Sequence, residues 1–187
     1  MAFAATASTK EPRSFSLGPK KTQILTYTAA SGDTSGTITA TRLSRVDHVI
    51  CGEGSIAHSA APTVSTNVVT LAFVCPTSTA ATLTQGGVTY TAVATDNTGN
   101  NITVAYTGGA TAGSEVVSVT ANAISVQIEN GVSTITQVRT AVNAHAPAAA
   151  LVTAAGTSAT VVATAAATAL TGGITGGGAG DLICIGV

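Results

Sequence analysis

The sequence has few charged and few aromatic side chains. Charged residues make up 8% of the 187 positions and aromatic residues 3%, and tryptophan is absent, whereas soluble proteins average about 25% charged residues. Threonine, serine and glycine therefore supply nearly all of the polarity. Acid–base catalysis depends on positioned carboxylates, imidazoles and amines, so this composition argues against an enzyme.

Cysteine is also scarce. The three cysteines, Cys51, Cys75 and Cys184, form an odd set without a CxxC pair, which argues against a disulfide framework and against a zinc site formed by neighbouring residues. His48, Cys51 and His58 suggest a metal site, but positions three apart on a strand project to opposite faces. We therefore expect buried free thiols and neither a metal nor another cofactor.

Apolar runs of the membrane-spanning kind are missing, although the mean hydropathy is positive. Residues 148–170 are long enough to span, but they consist of alanine and threonine with some valine, and insertion depends on leucine, isoleucine, phenylalanine and valine. The first residues lack the basic and apolar regions of a secretory signal. The net charge of −1 comes without a basic stripe, which argues against a nucleic-acid surface. We expect synthesis in the cytoplasm and neither a membrane nor a nucleic-acid partner.

Basic residues are concentrated at the start of the chain. Residues 1–21 carry four of the seven lysines and arginines and one acidic residue, a net charge of +3, without a strand or helix period. This pattern is typical of a flexible arm that becomes ordered on an acidic partner. Residues 14–17, between Pro12 and Pro19, are β-prone and could add to an exposed strand edge of the partner. We predict six anchoring residues in this arm: Lys10, Arg13, Phe15, Leu17, Lys20 and Lys21.

Short, half-polar strands follow the arm. Residues 22–29 and 37–43 are rich in β-branched residues and are separated by a turn at residues 31–33, which predicts an antiparallel pair. Residues 46–53 form the next predicted strand, and residues 55–67 form a loop.

Residues 68–75 make the most apolar strand of the chain. Pro76 ends this strand because proline cannot donate a hydrogen bond to a β ladder. The last residues, 181–187, are predicted to pair with it in an antiparallel sense, so that the residues between the two strands form an insertion.

The insertion has its own pattern of strands. Residues 88–94 and 102–106 are separated by a turn rich in asparagine and glycine, which predicts that they pair. Residues 115–120 and 123–129 form a second predicted hairpin. After the helix, residues 160–164 are expected to close this sheet.

The main helix has clear start and stop signals. Thr134 and Gln137 have the spacing of a capping box, and Pro147 limits the helix because the residue before a proline avoids helical backbone angles. One face carries the apolar residues Ile135, Val138, Ala141 and Val142. This amphipathic pattern predicts a helix that covers the sheet of the insertion.

The segments GGVTYTAVATDNTGNNITVAYT, SVTANAISVQIE, TITQVRTAVNAHA and TAAATALTGG resemble, in this order and spacing, a module that recurs in virion proteins of tailed bacteriophages. The outer segments KKTQILTYTAASGDTSGTITATRLSRVDHVICGE and GDLICIGV resemble small β proteins that decorate or cement phage heads. The first resemblance covers about half of the chain. Neither resemblance implies catalytic residues.

Together these observations predict a mainly β fold. A small antiparallel β-sandwich or barrel domain is expected from residues 22–82 and 174–187, after the flexible arm, and an inserted α+β domain with one main helix from residues 83–173. The resemblance implies a structural virion protein that binds the outer surface of the head as a capsid decoration protein. Its expected partners are the major capsid protein and copies of itself, in a trimer or another symmetric oligomer within the virion.

Two alternatives remain open. One is a tail, neck or fibre component of the same kind of particle. The other is a host-surface or glycan-binding module, or a depolymerase, which would need paired carboxylates about 5–9.5 Å apart on one groove. The candidate carboxylates are scattered in sequence and are predicted to be turn or solvent residues: Asp96, Glu115, Glu129 and Asp181.

Overall fold

The computed structural model describes residues 3–7, 19–51 and 57–187. The chain divides into two compact units, unit 1 (Met1–Thr77 with Gly176–Val187) and unit 2 (Ser78–Thr175). The division lies a few residues outside the boundaries that the sequence suggests. Over the described residues the fold is mainly β, with several antiparallel sheets and one main helix, which confirms the predicted fold class.

Unit 1 contains two sheets in its described part, and all of their strand pairs are antiparallel. Sheet A lies in the order β1 (Ala4–Ala7), β2 (Lys21–Ala29), β14 (Gly178–Gly186), β4 (Val46–Cys51). Sheet B lies in the order β3 (Ser35–Thr39), β6 (Val68–Val74), β5 (Ala57–Ser65). Strand β14, from the end of the chain, is thus central in sheet A.

One hydrophobic core joins the two sheets of unit 1. Alternate residues of β2 are buried, as the strand period of two requires, and the same holds for β6 and β14. The largest contributors come from both sheets: Leu25, Tyr27, Leu71, Phe73 and Leu182. The arrangement is that of a small sandwich.

The strand partners of unit 1 differ from those predicted. β2 and β3 were expected to pair but lie in different sheets, and β14 pairs with β2 and β4 rather than with β6. The expected loop at residues 55–67 is wrong, because it contains β5. Pro62 is tolerated there since β5 is an edge strand whose register shifts between Ala60 and Thr63, where a missing N–H costs no ladder bond.

The N-terminal residues also differ from the prediction. Ala4–Ala7, expected within the flexible arm, form an edge strand paired with β2, and Lys21 begins β2. The proposed anchoring residues Lys10, Arg13, Phe15 and Leu17 lie outside the described residues.

The described residues of unit 2 also form two sheets. The four-stranded sheet has the order β10 (Val116–Thr120), β11 (Ala123–Ile128), β9 (Thr103–Gly108), β13 (Ala165–Ala169), with β9 and β11 parallel. The three-stranded sheet has the order β12 (Val152–Ala155), β8 (Val88–Ala92), β7 (Thr82–Gln85). A 3₁₀ turn, Asn97–Asn101, precedes β9.

The structure confirms one predicted pairing in unit 2 and corrects two. The hairpin of β10 and β11 is present. The predicted pair of β8 and β9 is wrong, because β8 lies between β7 and β12 while β9 lies between β11 and β13. The closing strand is β13 rather than residues 160–164, of which Val161 makes only an isolated bridge to Thr134.

Helix α1 (Ile135–Ala144) begins as predicted. The Thr134 side chain and the Gln137 side chain form the capping box, and Val138 is fully buried in the core of unit 2. On the far turn of the helix, the Asn143 side chain donates to the Ala154 carbonyl at 2.8 Å and accepts from the Ala154 N–H at 2.9 Å, which ties α1 to β12. Pro147 lies in the following short helix α2 (Ala146–Ala149).

Candidate binding surface

Four basic residues of unit 1 belong to segments that meet at one end of sheet A. Lys21, Gly186 and Val46 are neighbours in register across β2, β14 and β4, so Lys20 and Arg45 lie just outside the same sheet end. We call Lys20, Lys21, Arg42 and Arg45 the basic end of sheet A.

The connection from β3 to β4 holds Arg42 and Arg45 at this end. The Arg42 N–H donates to Oε1 of the buried Gln23 in β2 at 3.0 Å. The Ser44 and Arg45 N–H groups both donate to the Val187 carbonyl, at 2.6 and 3.2 Å. Backbone contacts, rather than the alternation of a strand, therefore position these two arginines.

Asp47 is the counter-ion within the basic end. Its Oδ1 accepts a hydrogen bond from Arg45 Nε at 2.8 Å, and its Oδ2 lies 3.6 Å from Lys20 Nζ. The hydrogen bond from Arg45 lowers the pKa of the Asp47 carboxyl, and the charges of Arg45 and Lys20 add to that effect against some desolvation. Asp47 contacts two of the four basic side chains, Lys20 and Arg45, and the segments that form this end carry four basic residues against this one acidic side chain, so the end has an excess of positive charge.

The basic groups are accessible. The side chains of Lys20 and Arg45 are 41% and 64% exposed, whereas that of Asp47 is 17% exposed. An exposed ion pair of this kind contributes little to stability, so its cations are available to a partner.

Only part of this surface is predicted by the sequence. Lys20 and Lys21 were predicted as anchoring residues and the structure places them together, although their anchoring role stays a prediction. Arg42 and Arg45 were missed. Both lie in the first quarter of the chain, where the basic residues are concentrated, and this was the signal that could have found them. Arg42, however, falls within the predicted strand 37–43, so it was interpreted as a strand residue.

In unit 2, two clefts flank helix α1. A cleft of about 320 Å³ lies against the Gly113–Glu115 segment and includes Gln137 and Thr140 in its lining. A wider cleft, of about 540 Å³, lies along β12 and is lined in part by Arg139 and Asn143. Both present amide, hydroxyl or guanidinium groups to solvent.

Two of the predicted solvent carboxylates, those of Glu115 and Glu129, accept hydrogen bonds within unit 2. Ser133 is fully buried, and its Oγ donates to Glu115 Oε1 at 2.7 Å and accepts from the Glu129 N–H at 2.9 Å. The Glu129 carboxylate accepts from the Ala112 N–H at 2.8 Å. This network ties together the segments before β10 and after β11, which gives both carboxylates a structural role.

The remaining titratable candidates have local roles. Asp96 caps the 3₁₀ turn, where hydrogen bonds from the hydroxyl and N–H of Thr98 lower the pKa of its carboxyl. The three cysteines are free, as predicted, and burial raises the pKa of Cys184 to about 11. Among the described residues, no three histidine, cysteine, aspartate or glutamate side chains lie together in a way that could hold a metal ion.

Comparisons with protein-family models, with curated proteins and with solved structures find no match for this chain. Within the part of the chain that the structure describes, no helix is long and apolar enough to cross a bilayer.

Proposed function

We propose that this chain is a structural protein of a tailed-bacteriophage particle and that unit 1 attaches it to the outer surface of the head. In this proposal it is a capsid decoration protein, not an enzyme. Its partners are the major capsid protein and further copies of itself in a symmetric oligomer, assembled into the virion after synthesis in the host cytoplasm. The resemblance of the outer segments to head-decorating β proteins supports this assignment.

The basic end of sheet A is the observation that carries the proposal. Its four cations against Asp47 favour a partner surface that presents carboxylates, and attraction of this kind guides association and fixes orientation. Unit 2 contains a single basic residue, Arg139, and three acidic ones, so it offers no comparable cluster. Attachment is therefore assigned to unit 1.

The test uses heads of the encoding phage that were assembled without this protein. Wild-type protein should bind them, and binding should weaken as salt rises because exposed charges act over a Debye length of about 8 Å at physiological ionic strength. A Lys20→Gln, Lys21→Gln, Arg42→Gln variant should bind more weakly, whereas the matched Arg139→Gln variant should bind as wild type does. Binding to purified tails but not to heads would replace the head assignment with a tail or neck role.

A second candidate function rests on the clefts beside α1. The residues that line them include the polar side chains of Arg139 and Thr140, which suit hydroxyl-rich ligands such as host-surface glycans. Calorimetric titration of the protein with purified host polysaccharide tests this candidate. Saturable binding that a folded Arg139→Ala, Thr140→Ala variant loses would favour a host-surface module, and release of reducing ends would show a depolymerase.

A further inference from the structure

The outward face of sheet A carries a row of isoleucines. Ile24, Ile183 and Ile50 are partners in register across β2, β14 and β4. They alternate with the residues that enter the core of unit 1, such as Leu25, Leu182 and Cys51, so they point to the opposite face. Ile185, next but one to Ile183 on β14, extends the row toward the strand ends. We call these four residues the isoleucine row.

This row is accessible in the described structure. The Ile50 side chain is 51% exposed, and Ile24, Ile183 and Ile185 are half-buried. Directly opposite residues on antiparallel strands have Cβ atoms about 4.5–5.5 Å apart, so the row is a continuous apolar patch. Continuous apolar patches bordered by polar groups mark interaction sites, whereas single exposed apolar residues do not.

The isoleucine row has different polar neighbours at its two ends. Ile185 is paired with His48, and next along β4 comes Asp47, which is held by Lys20 and Arg45 of the basic end. At the other end, Asp181 lies two residues before Ile183 on β14. An apolar centre with a polar rim is the usual anatomy of a protein interface.

We infer that the outward face of sheet A is the docking face of unit 1, and that its partner is a protein surface with an apolar patch bordered by carboxylates. The isoleucine row covers the apolar patch, and Lys20 and Arg45 meet the carboxylates. The inference rests on the proposed function and names the surface through which the capsid protein would be bound.

Charge complementarity favours such a partner over the other occupants. A second copy of this face would bring one Asp181 against the excess cations of the basic end, which leaves them mostly uncompensated. A nucleic acid would need cations along its whole track to neutralise phosphates, and the centre of this face is isoleucine. A protein partner with an apolar patch and carboxylates at one end of it would match both the isoleucine row and the basic end.

The experiment compares full-length variants on heads assembled without this protein. Ile24→Thr, Ile50→Thr and Ile183→Thr are combined, since threonine keeps the β-branched shape that strands favour. The half-saturating concentration should rise at least about tenfold, as expected for loss of the anchors of an interface. The matched control is Val74→Thr, which changes a 61% exposed valine of sheet B and should leave binding unchanged.

Folding of the triple variant is checked by its thermal unfolding transition. If that transition is lost, the single Ile50→Glu variant replaces it, because position 50 is the most exposed of the row and a carboxylate there repels the partner's own. Weaker binding by a folded variant supports the docking face.

The other outcomes are separable. Wild-type affinity of a folded triple variant would overturn the docking face and leave the proposed function standing. Failure of the wild type itself to bind heads would overturn both. Sedimentation velocity that shows an oligomer for the wild type and a monomer for the triple variant would make the row a self-interface. Row-dependent binding to phosphatidylserine–phosphatidylcholine vesicles would make it a membrane contact. Either of these last two results would overturn the capsid partner.

Discussion

Buried tyrosine hydroxyls in unit 2 show how polar groups are satisfied in a core that contains no buried charge pair among the described residues. Tyr106 OH donates to the Gln85 carbonyl at 2.9 Å. A phenol has one proton to donate, so Tyr90 OH must donate to Tyr106 OH, at 2.7 Å. Both rings are buried, and a phenolate at either position would be poorly solvated.

All three tyrosines should therefore resist ionisation in the folded protein. Desolvation raises the pKa of Tyr106 to about 12 and that of Tyr90 further. The pKa of Tyr27 is also raised, first by burial and then by Cys51, Cys75 and Asp181. A phenol that keeps its proton longer in the folded state contributes stability below its unfolded pKa, near 10, and this contribution is lost as the pH rises through the folded pKa.

Two measurements check this prediction. Absorbance at 295 nm should show no phenolate step near pH 10 in the native protein and a full step in urea. The free energy of unfolding from urea titrations should fall between about pH 10 and pH 12. A native titration step of even one tyrosine at its ordinary pKa would contradict the burial of that phenol.

At the scale of elements, helix α1 is held by one apolar stripe and by contacts at its two ends. Ile135, Val138 and Val142 are buried, and the capping box and the Asn143 bridge position the first and last turns. Helix propensity contributes little to a helix of only 10 residues, because isolated helices shorter than about 12–15 residues are marginal in water. Packing of the stripe should therefore dominate its stability.

Val138→Asp tests this packing. The substitution places an uncompensated carboxylate at a position with no solvent exposure, which should lower the free energy of unfolding of unit 2 by at least about 3 kcal/mol. The matched control is Thr140→Asp, at an exposed position of the same helix, which should change stability by less than about 1 kcal/mol. Urea titration followed by circular dichroism measures both, and equal effects of the two variants would show that the stripe is not buried.

At the scale of the whole molecule, the chain leaves and re-enters unit 1 at adjacent points. The Gly177 N–H donates to the Pro76 carbonyl at 3.0 Å. Gly177 has a φ of +87°, and a Cβ there would lie 2.7 Å from the Ala29 carbonyl oxygen, so only glycine fits this junction. Bridging these two positions directly should not disturb either sheet of unit 1.

Unit 1 should therefore fold without unit 2. Replacing residues 78–175 by a short Gly/Ser linker removes one compact unit, and loop closure changes by only about 0.6 kcal/mol per doubling of loop length. The shortened protein should be soluble, unfold cooperatively and bind heads as the full chain does. Removal of residues 178–187 is the control, since it deletes the central strand β14 and should abolish folding. An insoluble product of the first deletion would show that unit 1 depends on unit 2.

The limits of sequence reasoning are clearest where strands choose their partners. Periodicity reports which side of a strand meets a core, and it located β2, β6 and helix α1 because burial of alternate or stripe residues is a local pattern. The position of β14 after the insertion and the turn between β8 and β9 predicted that β14 pairs with β6 and β8 with β9. Both pairings are wrong, because neighbours in a sheet depend on contacts between residues distant in the chain. Strand β5 was hidden since an edge strand exposed on both faces has no apolar alternation.

The same distinction applies to the candidate surface. Composition alone determined that basic residues gather early in the chain and that Lys20 and Lys21 end a basic segment. Only the tertiary structure brought Arg42 and Arg45 to them, through backbone hydrogen bonds to Gln23 and Val187. It alone aligned Ile24, Ile50 and Ile183, since a cross-strand row is a property of register, and register is set by the packing of both sheets on one core.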